Sequence, residues 1–294
     1  VTIKTGIYGA SGYTGLELIK LINRHPEMEI GFAASDNFAG QEYEGIRFVA
    51  VEKVDPSTVD LVFLCTPHGA SAPLAKQVLD AGAKVVDLSA DLRLRTPEAY
   101  TEWYDHPHPE PSLLPTIYGL PEFNRHLIPG QDRIANPGCY PTTTLLGLAP
   151  LVKADAVKDG ATLIIDAKSG VSGAGRKPKL DLMFSEIFGD FKPYNIGRVH
   201  RHVGEIEQEL HTLNPKIGQI IFSPHLIPID RGLLATCYVP LKEGWGLGKA
   251  RALYEEWYCD EPLVKLLPQG QTARVQDVAH TNGAAISLHP ATED

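Results

Sequence analysis

One cysteine in this chain stands where a thiol can act as a nucleophile. In Asn136-Pro137-Gly138-Cys139-Tyr140-Pro141-Thr142, Pro137-Gly138 signals a turn. Pro141 suits the first turn of a helix that continues from Thr142 to Leu151 with Leu145, Leu146, Leu148 and Leu151 inward. A sulfur at such a point meets unpaired backbone N–H groups and the positive end of the helix dipole, and both favour the reactive thiolate. The ordinary alternative is an inert core cysteine; turn, proline and helix start together favour the reactive one. Cys65, Cys237 and Cys259 form no C-x-x-C pair and no zinc spacing, so no metal is expected, and a reducing cytoplasm is the expected setting.

A second group of residues suits a dinucleotide. Gly9-Ala10-Ser11-Gly12-Tyr13-Thr14-Gly15 follows the strand-like Thr2–Tyr8 and opens a helix with Leu16, Ile19 and Ile22 on one face. Glycines there allow a tight turn and bring backbone N–H groups to a pyrophosphate at the helix N-terminus. Alone, G-x-x-G-x-x-G also fits a plain turn. With strand before and helix after, it predicts a cofactor site of Gly9, Ser11, Gly12, Tyr13, Thr14 and Gly15. Ser35 and Asp36 join it at the end of a second strand, Glu29–Ser35. Asp36 read alone points to the ribose hydroxyls of NAD, while Ser35, Asn37 and Arg47 can serve the 2′-phosphate of NADP, so both remain open. Thr66-Pro67 ends another strand at the same edge and can line the cleft. Ser169-Gly170-Val171-Ser172-Gly173 belongs to a second glycine-rich loop running to Arg176 and Lys177. Its backbone can wrap a cofactor or substrate anion, or it is a flexible hairpin connection.

Two further clusters carry charge. Arg93 in Asp87-Leu88-Ser89-Ala90-Asp91-Leu92-Arg93 can clamp a phosphate or carboxylate, or form a surface salt bridge to Asp91 or Glu98. His200 and His202, if extended, point the same way between Arg198 and Arg201. They fit a metal pair lacking a recognisable third ligand, a solvated basic face, or an acid/base histidine that supports Cys139.

The elements that must position these groups follow from the apolar pattern. Over the first 90 residues strands and helices alternate, with Asp60–Thr66 and Ala83–Ser89 as further strands and a helix running to Ala81. Such alternation predicts a parallel sheet with helices on both faces. Thr96 caps a short helix, His106–Pro115 reads as a surface loop, and Asp132–Asn136 is a strand leading into the Cys139 turn. Longer strands follow at Ala161–Ala167, Gln219–Pro228 and Gly232–Leu241, with helices at Gly204–Leu213 and Leu247–Tyr258. The fold class is α/β: a Rossmann-like parallel-sheet domain over 1–139 and an α+β catalytic and oligomerisation domain over 140–294. A length of 294 residues suits two domains. A formal net charge of −9 disfavours nucleic acid and anionic membranes, and no apolar run is long enough to span a bilayer. The last strand, Gly283–His289, runs into the polar Pro290–Asp294, which suggests a protein that continues further.

Taken together, the Gly9–Gly15, Leu88–Arg93, Asn136–Thr142, Gly197–His202 and His225–Gly232 segments resemble, in order, the N-acetyl-gamma-glutamyl-phosphate reductase family of arginine biosynthesis. The resemblance implies an NADPH-dependent acyl-phosphate reductase with Cys139 as nucleophile and His200 as general acid/base. It also implies substrate contacts at Arg93, Asn136, Tyr194 and His202, and a homo-oligomer, dimer or tetramer. The chain departs from the family at Asp36, where a basic residue is common, and at Gly283, where tyrosine is usual. The family's final segment is absent. The lysine-pathway reductase, with a substrate one methylene longer, and aspartate-semialdehyde dehydrogenase are the nearest enzymatic alternatives. A non-catalytic dinucleotide-binding redox sensor is the alternative from another class.

Overall fold

A computed structural model describes residues 2–292, so Glu293 and Asp294 of the polar end lie outside the described residues. The chain divides into two compact units, Val1–Gly138 and Cys139–Asp294.

In the first unit the apolar runs pair as β1 (Ile3–Tyr8), β2 (Met28–Ala34), β3 (Glu42–Tyr43), β4 (Ile46–Val49), β5 (Leu61–Leu64), β6 (Lys84–Asp87), β7 (Ile117–Tyr118) and β8 (Arg133–Ala135). Their order is β3-β4-β2-β1-β5-β6-β8-β7, parallel throughout except between β3 and β4. The helices are α1 (Tyr13–Asn23), α2 (Ser71–Asp80), α3 (Pro97–Tyr104) and the short α4 (Pro121–Asn124). Successive residues of β1 enter different cores, as the strand period requires. Ile7 packs with Ile19, Ile22, Ala33 and Phe48. Tyr8 packs with Leu64, Ala72, Ala75 and Val85. Because β2 and β5 flank β1, the chain winds away from it in both directions. The carboxyl ends of β1 and β5 therefore form the switch point where open α/β sheets bind ligands.

Asp91 organises the next edge. Its buried carboxylate accepts the Gly69 N–H at 2.7 Å, the Ala72 N–H at 2.9 Å and the Tyr100 hydroxyl at 3.0 Å. The Asp91 carbonyl lies 2.7 Å from His108 Nε2. His106–Pro115 runs over the surface as read from the sequence, with Pro107, Pro109, Pro111, Ser112 and Pro115 exposed, but His108 and Leu113 are buried and anchor it.

The second unit holds β9 (Leu163–Gly170), β10 (Lys192–Pro193), β11 (Ile220–Ile227) and β12 (Leu233–Tyr238) in the order β10-β11-β9-β12. β9 and β11 are parallel, and the other neighbours antiparallel. A pair of short parallel strands, β13 (Val264–Leu266) and β14 (Ala284–Ile286), stands apart. The helices are α5 (Cys139–Lys153), α6 (Phe184–Ile187), α7 (His202–Leu213) and α8 (Leu247–Trp257). α5 is buried along most of its length. Pro150 within it has no N–H to give the Leu146 carbonyl; the Tyr258 hydroxyl donates there instead, at 2.6 Å. The Tyr254 hydroxyl donates to the neighbouring Gly147 carbonyl.

Candidate active site

The turn between β1 and α1 in the first unit is shaped by two glycines. Gly9 has φ +73°, and a Cβ there would stand 2.4 Å from the Cys65 carbonyl oxygen. A Cβ on Gly15 would stand 2.5 Å from the Ala10 carbonyl oxygen, so α1 begins flush against the turn that precedes it. Gly12, the N-cap of α1, contributes no side-chain hydrogen bond to the first turn, as suits a phosphate at the helix N-terminus. The Ser11 and Ser35 hydroxyls lie 2.6 Å apart and tie this turn to the end of β2. Asp36 is exposed, and its Oδ1 accepts the Val51 N–H at 2.8 Å, so the carboxylate caps a neighbouring turn. After β5 the Thr66 hydroxyl lies 2.6 Å from that of Ser71, at the start of α2. This glycine spacing, helix start and switch point fit a dinucleotide.

Arg93 is nearly buried. Its Nε donates to the Asn136 carbonyl at 2.8 Å and one terminal nitrogen to the Leu88 carbonyl at 2.9 Å. The guanidinium thus fastens the chain beyond β6 to the end of β8. The Asn136 N–H bonds the Asp87 carbonyl at 2.8 Å, and Asp87 is itself fully buried, its carboxyl pushed up by desolvation. The segment entering the cysteine turn is therefore held rigidly on the side of the first unit.

Cys139 is the first residue of α5 and is exposed. Burial pushes the thiols of Cys65 and Cys237 up to about 12, which leaves those two unreactive at neutral pH. Tyr140, next to Cys139, is only 2% exposed. It accepts a hydrogen bond from the Tyr194 hydroxyl at 3.1 Å, and its own hydroxyl donates to the His225 carbonyl at 3.4 Å. Burial raises the pKa of both tyrosines, and the Cys139 thiol, when ionised, adds to the rise in each. The Tyr140 ring stands edge-on to His200 at 5.6 Å, His202 at 6.0 Å and Phe222 at 5.1 Å. His200 also meets Tyr194 at 5.5 Å and His202 at 4.9 Å.

His200 is not extended. It lies in a turn before α7, and His202 is the first residue of that helix, which corrects the alternation argument while leaving the two rings adjacent. The His202 N–H donates to His200 Nδ1 at 3.2 Å, so the neutral ring carries its proton on Nε2. Desolvation, then the charges of His202 and Arg201, lower its pKa to about 3, against a smaller opposing effect of Glu205. Such a ring is a neutral hydrogen-bond donor at physiological pH.

The second glycine loop is knitted rather than flexible. The N–H groups of Gly170, Val171 and Ser172 donate to the carbonyls of Gly232, Ile229 and Asp230 at 3.0, 2.9 and 3.1 Å. Those three donors are thereby engaged within the protein. Ser169 contributes to the hydrogen bonding of the Tyr140 hydroxyl, and a Cβ on Gly173 would meet Ser169 Oγ at 3.0 Å. Among the described residues no group of three or more His, Cys, Asp or Glu side chains can hold a metal ion. Tyr194, His200 and His202 gather around the Tyr140 ring in the second unit, with Cys139 next to Tyr140 in the chain. Arg93 and Asn136 meet in the first. Sequence reasoning missed Tyr140 as the hub of this cluster; its position beside Cys139 was the available signal.

Two family models match the chain: the semialdehyde dehydrogenase NAD binding domain over residues 4–131 and the semialdehyde dehydrogenase dimerisation domain over 139–294. An N-acetyl-gamma-glutamyl-phosphate reductase of Moorella thermoacetica is 42% identical over 97% of this chain and 86% of its own length. One of Geotalea daltonii is 43% identical with the same coverage. Among solved structures, aspartate semialdehyde dehydrogenase II of Vibrio cholerae superposes with a TM-score of 0.74 at 18% identity, covering 97% of this chain and 87% of that one. A probable aspartate-semialdehyde dehydrogenase of Pseudomonas aeruginosa gives 0.75 at 20% identity, over 100% and 90%; both likenesses speak to the fold. With both family models matched along the chain and relatives of this identity and coverage, this chain belongs to the semialdehyde dehydrogenase family and, within it, to the N-acetyl-gamma-glutamyl-phosphate reductases.

Proposed function

We propose that the protein reduces N-acetyl-gamma-glutamyl phosphate to the semialdehyde, with release of phosphate, through a thioester on Cys139. The observation that carries this reading is the exposed Cys139 at the start of α5, beside the Tyr140–Tyr194–His200 cluster. Its thiolate attacks the acyl carbonyl, a C–S bond forms, and the C–O bond to phosphate breaks. Reduced nicotinamide, when bound, supplies a hydride to the carbonyl carbon of that thioester. The Nε2–H of His200 donates to the carbonyl oxygen while negative charge develops there. Collapse of the tetrahedral centre then breaks the C–S bond, releases the aldehyde and returns Cys139 as thiolate. Sulfur suits both halves because it both attacks and leaves readily.

NADP is the cofactor we assign. The Asp36 carboxylate is turned to the Val51 N–H, while the Ser11 and Ser35 hydroxyls meet at the end of β2, where a 2′-phosphate finds donors. Gly9, Gly12, Tyr13, Thr14, Gly15, Thr66 and Pro67 of the first unit are assigned to the same cofactor, as are Ser169, Gly170 and Gly173 of the second glycine loop. Arg93, Asn136, Tyr194 and His202 are assigned to the substrate, the protein acts as a homo-oligomer, and its place is the cytoplasm. The test is the reverse assay: semialdehyde plus phosphate, with NADP and NAD compared. Phosphate-dependent formation of NADPH is expected, faster than with NAD. No phosphate-dependent reduction of either cofactor would overturn the function; faster turnover with NAD would overturn the cofactor assignment alone. An aminoadipyl substrate turned over better than the glutamyl one would move the enzyme to the longer homologue.

A further inference from the structure

The turn over residues 194–201, between β10 and α7, carries Tyr194 at its start and His200 near its end. Its start is held to β11, the Tyr194 N–H bonding the Pro224 carbonyl at 3.0 Å. Beyond that point Ile196 and Val199 are 52% and 66% exposed, so its apolar side chains do not anchor it to a core. Its backbone is also unusual. Asn195, Gly197 and Arg198 have φ of 47°, 73° and 68°. Asparagine and glycine accept the left-handed region readily. An arginine there is strained, and persists only where its surroundings over-determine it.

Those surroundings are a clamp. Arg198 Nη1 donates to Glu207 Oε1 at 2.7 Å, and Nη2 donates to Oε2 at 2.9 Å. This two-pronged pairing of guanidinium and carboxylate fixes direction as well as distance. The Arg198 side chain is 38% exposed and that of Glu207 only 13%, so salt and water screen the pair incompletely. The clamp also reaches the sheet. Glu207 Oε1 accepts the Ile220 N–H at 3.0 Å, and the Ile220 carbonyl accepts from Arg198 Nη1 at 3.4 Å. β10 pairs with β11 only at His225 and Leu226, so at Ile220 these two side chains take the place of a strand. The turn, α7 and β11 thus meet at one ion pair.

We propose that Arg198 is a positioning residue for His200: its clamp on Glu207 locks the left-handed turn that sets the His200 ring against Tyr140 and Tyr194. The inference rests on His200 as the donor to the thioester oxygen, the role given it above. Both terminal nitrogens of Arg198 are engaged by Glu207, so the arginine acts through the backbone and not as a contact to an anion. The path is short, because His200 follows two residues later and its carbonyl accepts the Val203 N–H of α7 at 2.9 Å. Without the clamp nothing holds residue 198 in the left-handed region, and the Nε2–H of His200 moves out of line. A displacement of about 1 Å in such a group lowers the rate by up to about 10²-fold.

Steady-state kinetics of the reverse assay, arranged as a double-mutant cycle, test this. Arg198→Ala is expected to lower kcat about 10- to 100-fold. The KM values for semialdehyde and phosphate and the far-UV circular dichroism spectrum are expected to stay those of the parent. In a His200→Ala background the same substitution is expected to change kcat by no more than about twofold, because no ring remains to be positioned. Glu207→Gln keeps an acceptor for the Ile220 N–H but loses the anionic fork. It is expected to repeat the pattern with a smaller loss, and it stands in should Arg198→Ala fail to fold. A raised KM for phosphate at the parent kcat would make Arg198 an anion contact and overturn the proposal. Folded variants that turn over at the parent rate would do so too, as would an equal loss with and without His200. Each of these outcomes leaves the function standing. A parent that shows no phosphate-dependent reduction of either cofactor refutes the function and this inference together.

Discussion

If His200 works as a neutral donor, its removal should lower the rate without altering how the rate depends on pH. Its pKa of about 3 stands against 6.5 for a free imidazole. At pH 7 about one ring in ten thousand is then protonated. The shift corresponds to at most roughly 5 kcal/mol against the imidazolium, less whatever solvent screening restores at a half-buried ring. The tautomer is fixed as well, because the His202 N–H occupies Nδ1 and leaves the proton on Nε2. Loss of one such donor to an oxyanion lowers kcat by about 10²–10³. His200→Ala should therefore fall by that factor and keep the parent's profile of kcat/KM between pH 5 and 8. His200→Gln, which restores a neutral N–H, should recover part of the loss. The assay is phosphate-releasing turnover followed by consumption of the reduced nicotinamide. An acidic limb near pH 6.5 in the parent that disappears in His200→Ala would refute the reasoning, since it would require His200 to titrate in the working range.

The same geometry makes further commitments. Brief alkylation of the native protein, mapped by peptide mass, should label Cys139 and the exposed Cys259 and spare Cys65 and Cys237, with inactivation tracking Cys139 alone. Gly15→Val must displace α1 from the Ala10 backbone; dinucleotide affinity by calorimetry should fall at least about tenfold, with about 1–3 kcal/mol of stability lost to overpacking. Tyr258→Phe leaves the Leu146 carbonyl beside Pro150 without its donor, and urea unfolding should show a loss of about 1–3 kcal/mol. In acid, the folded protein keeps His200 unprotonated down to about pH 3 while the unfolded chain takes up a proton below about 6.5. The contribution of His200 to stability is thus intact above pH 6.5 and declines as pH falls from there toward 3, so His200→Ala should flatten that part of the stability curve.

Much of this architecture is legible in the residues because it is local. A strand, a glycine turn and a helix with Ile19 and Ile22 inward announce the cofactor end within some twenty positions, and Pro137-Gly138 with Pro141 announces the start of α5. What escapes is short or distant. β3 and β4 span 42–49 with two and four residues, too few for a period to emerge. His200 lies in a turn rather than a strand because α7 begins at His202, and an alternation argument has no means of sensing that helix start. Tyr140 meets Tyr194 across 54 positions and His225 across 85, so its part in the cluster exists only once α5 packs against the second sheet. His108 likewise looks like loop and is buried, because its partner is the carbonyl of Asp91.

Asp91 has a consequence for how the first unit comes apart. One carboxylate collects the amides of Gly69 and Ala72 and the phenol of Tyr100, while its carbonyl lies against His108. The beginning of α2, the helix bearing Tyr100 and the loop around His108 therefore share a single fastening. They cannot fray one by one: deuterium would enter the Gly69 and Ala72 amides at a common rate, as one cooperative block. That block adjoins the end of β6, so this edge of the first unit's sheet holds or opens as a whole.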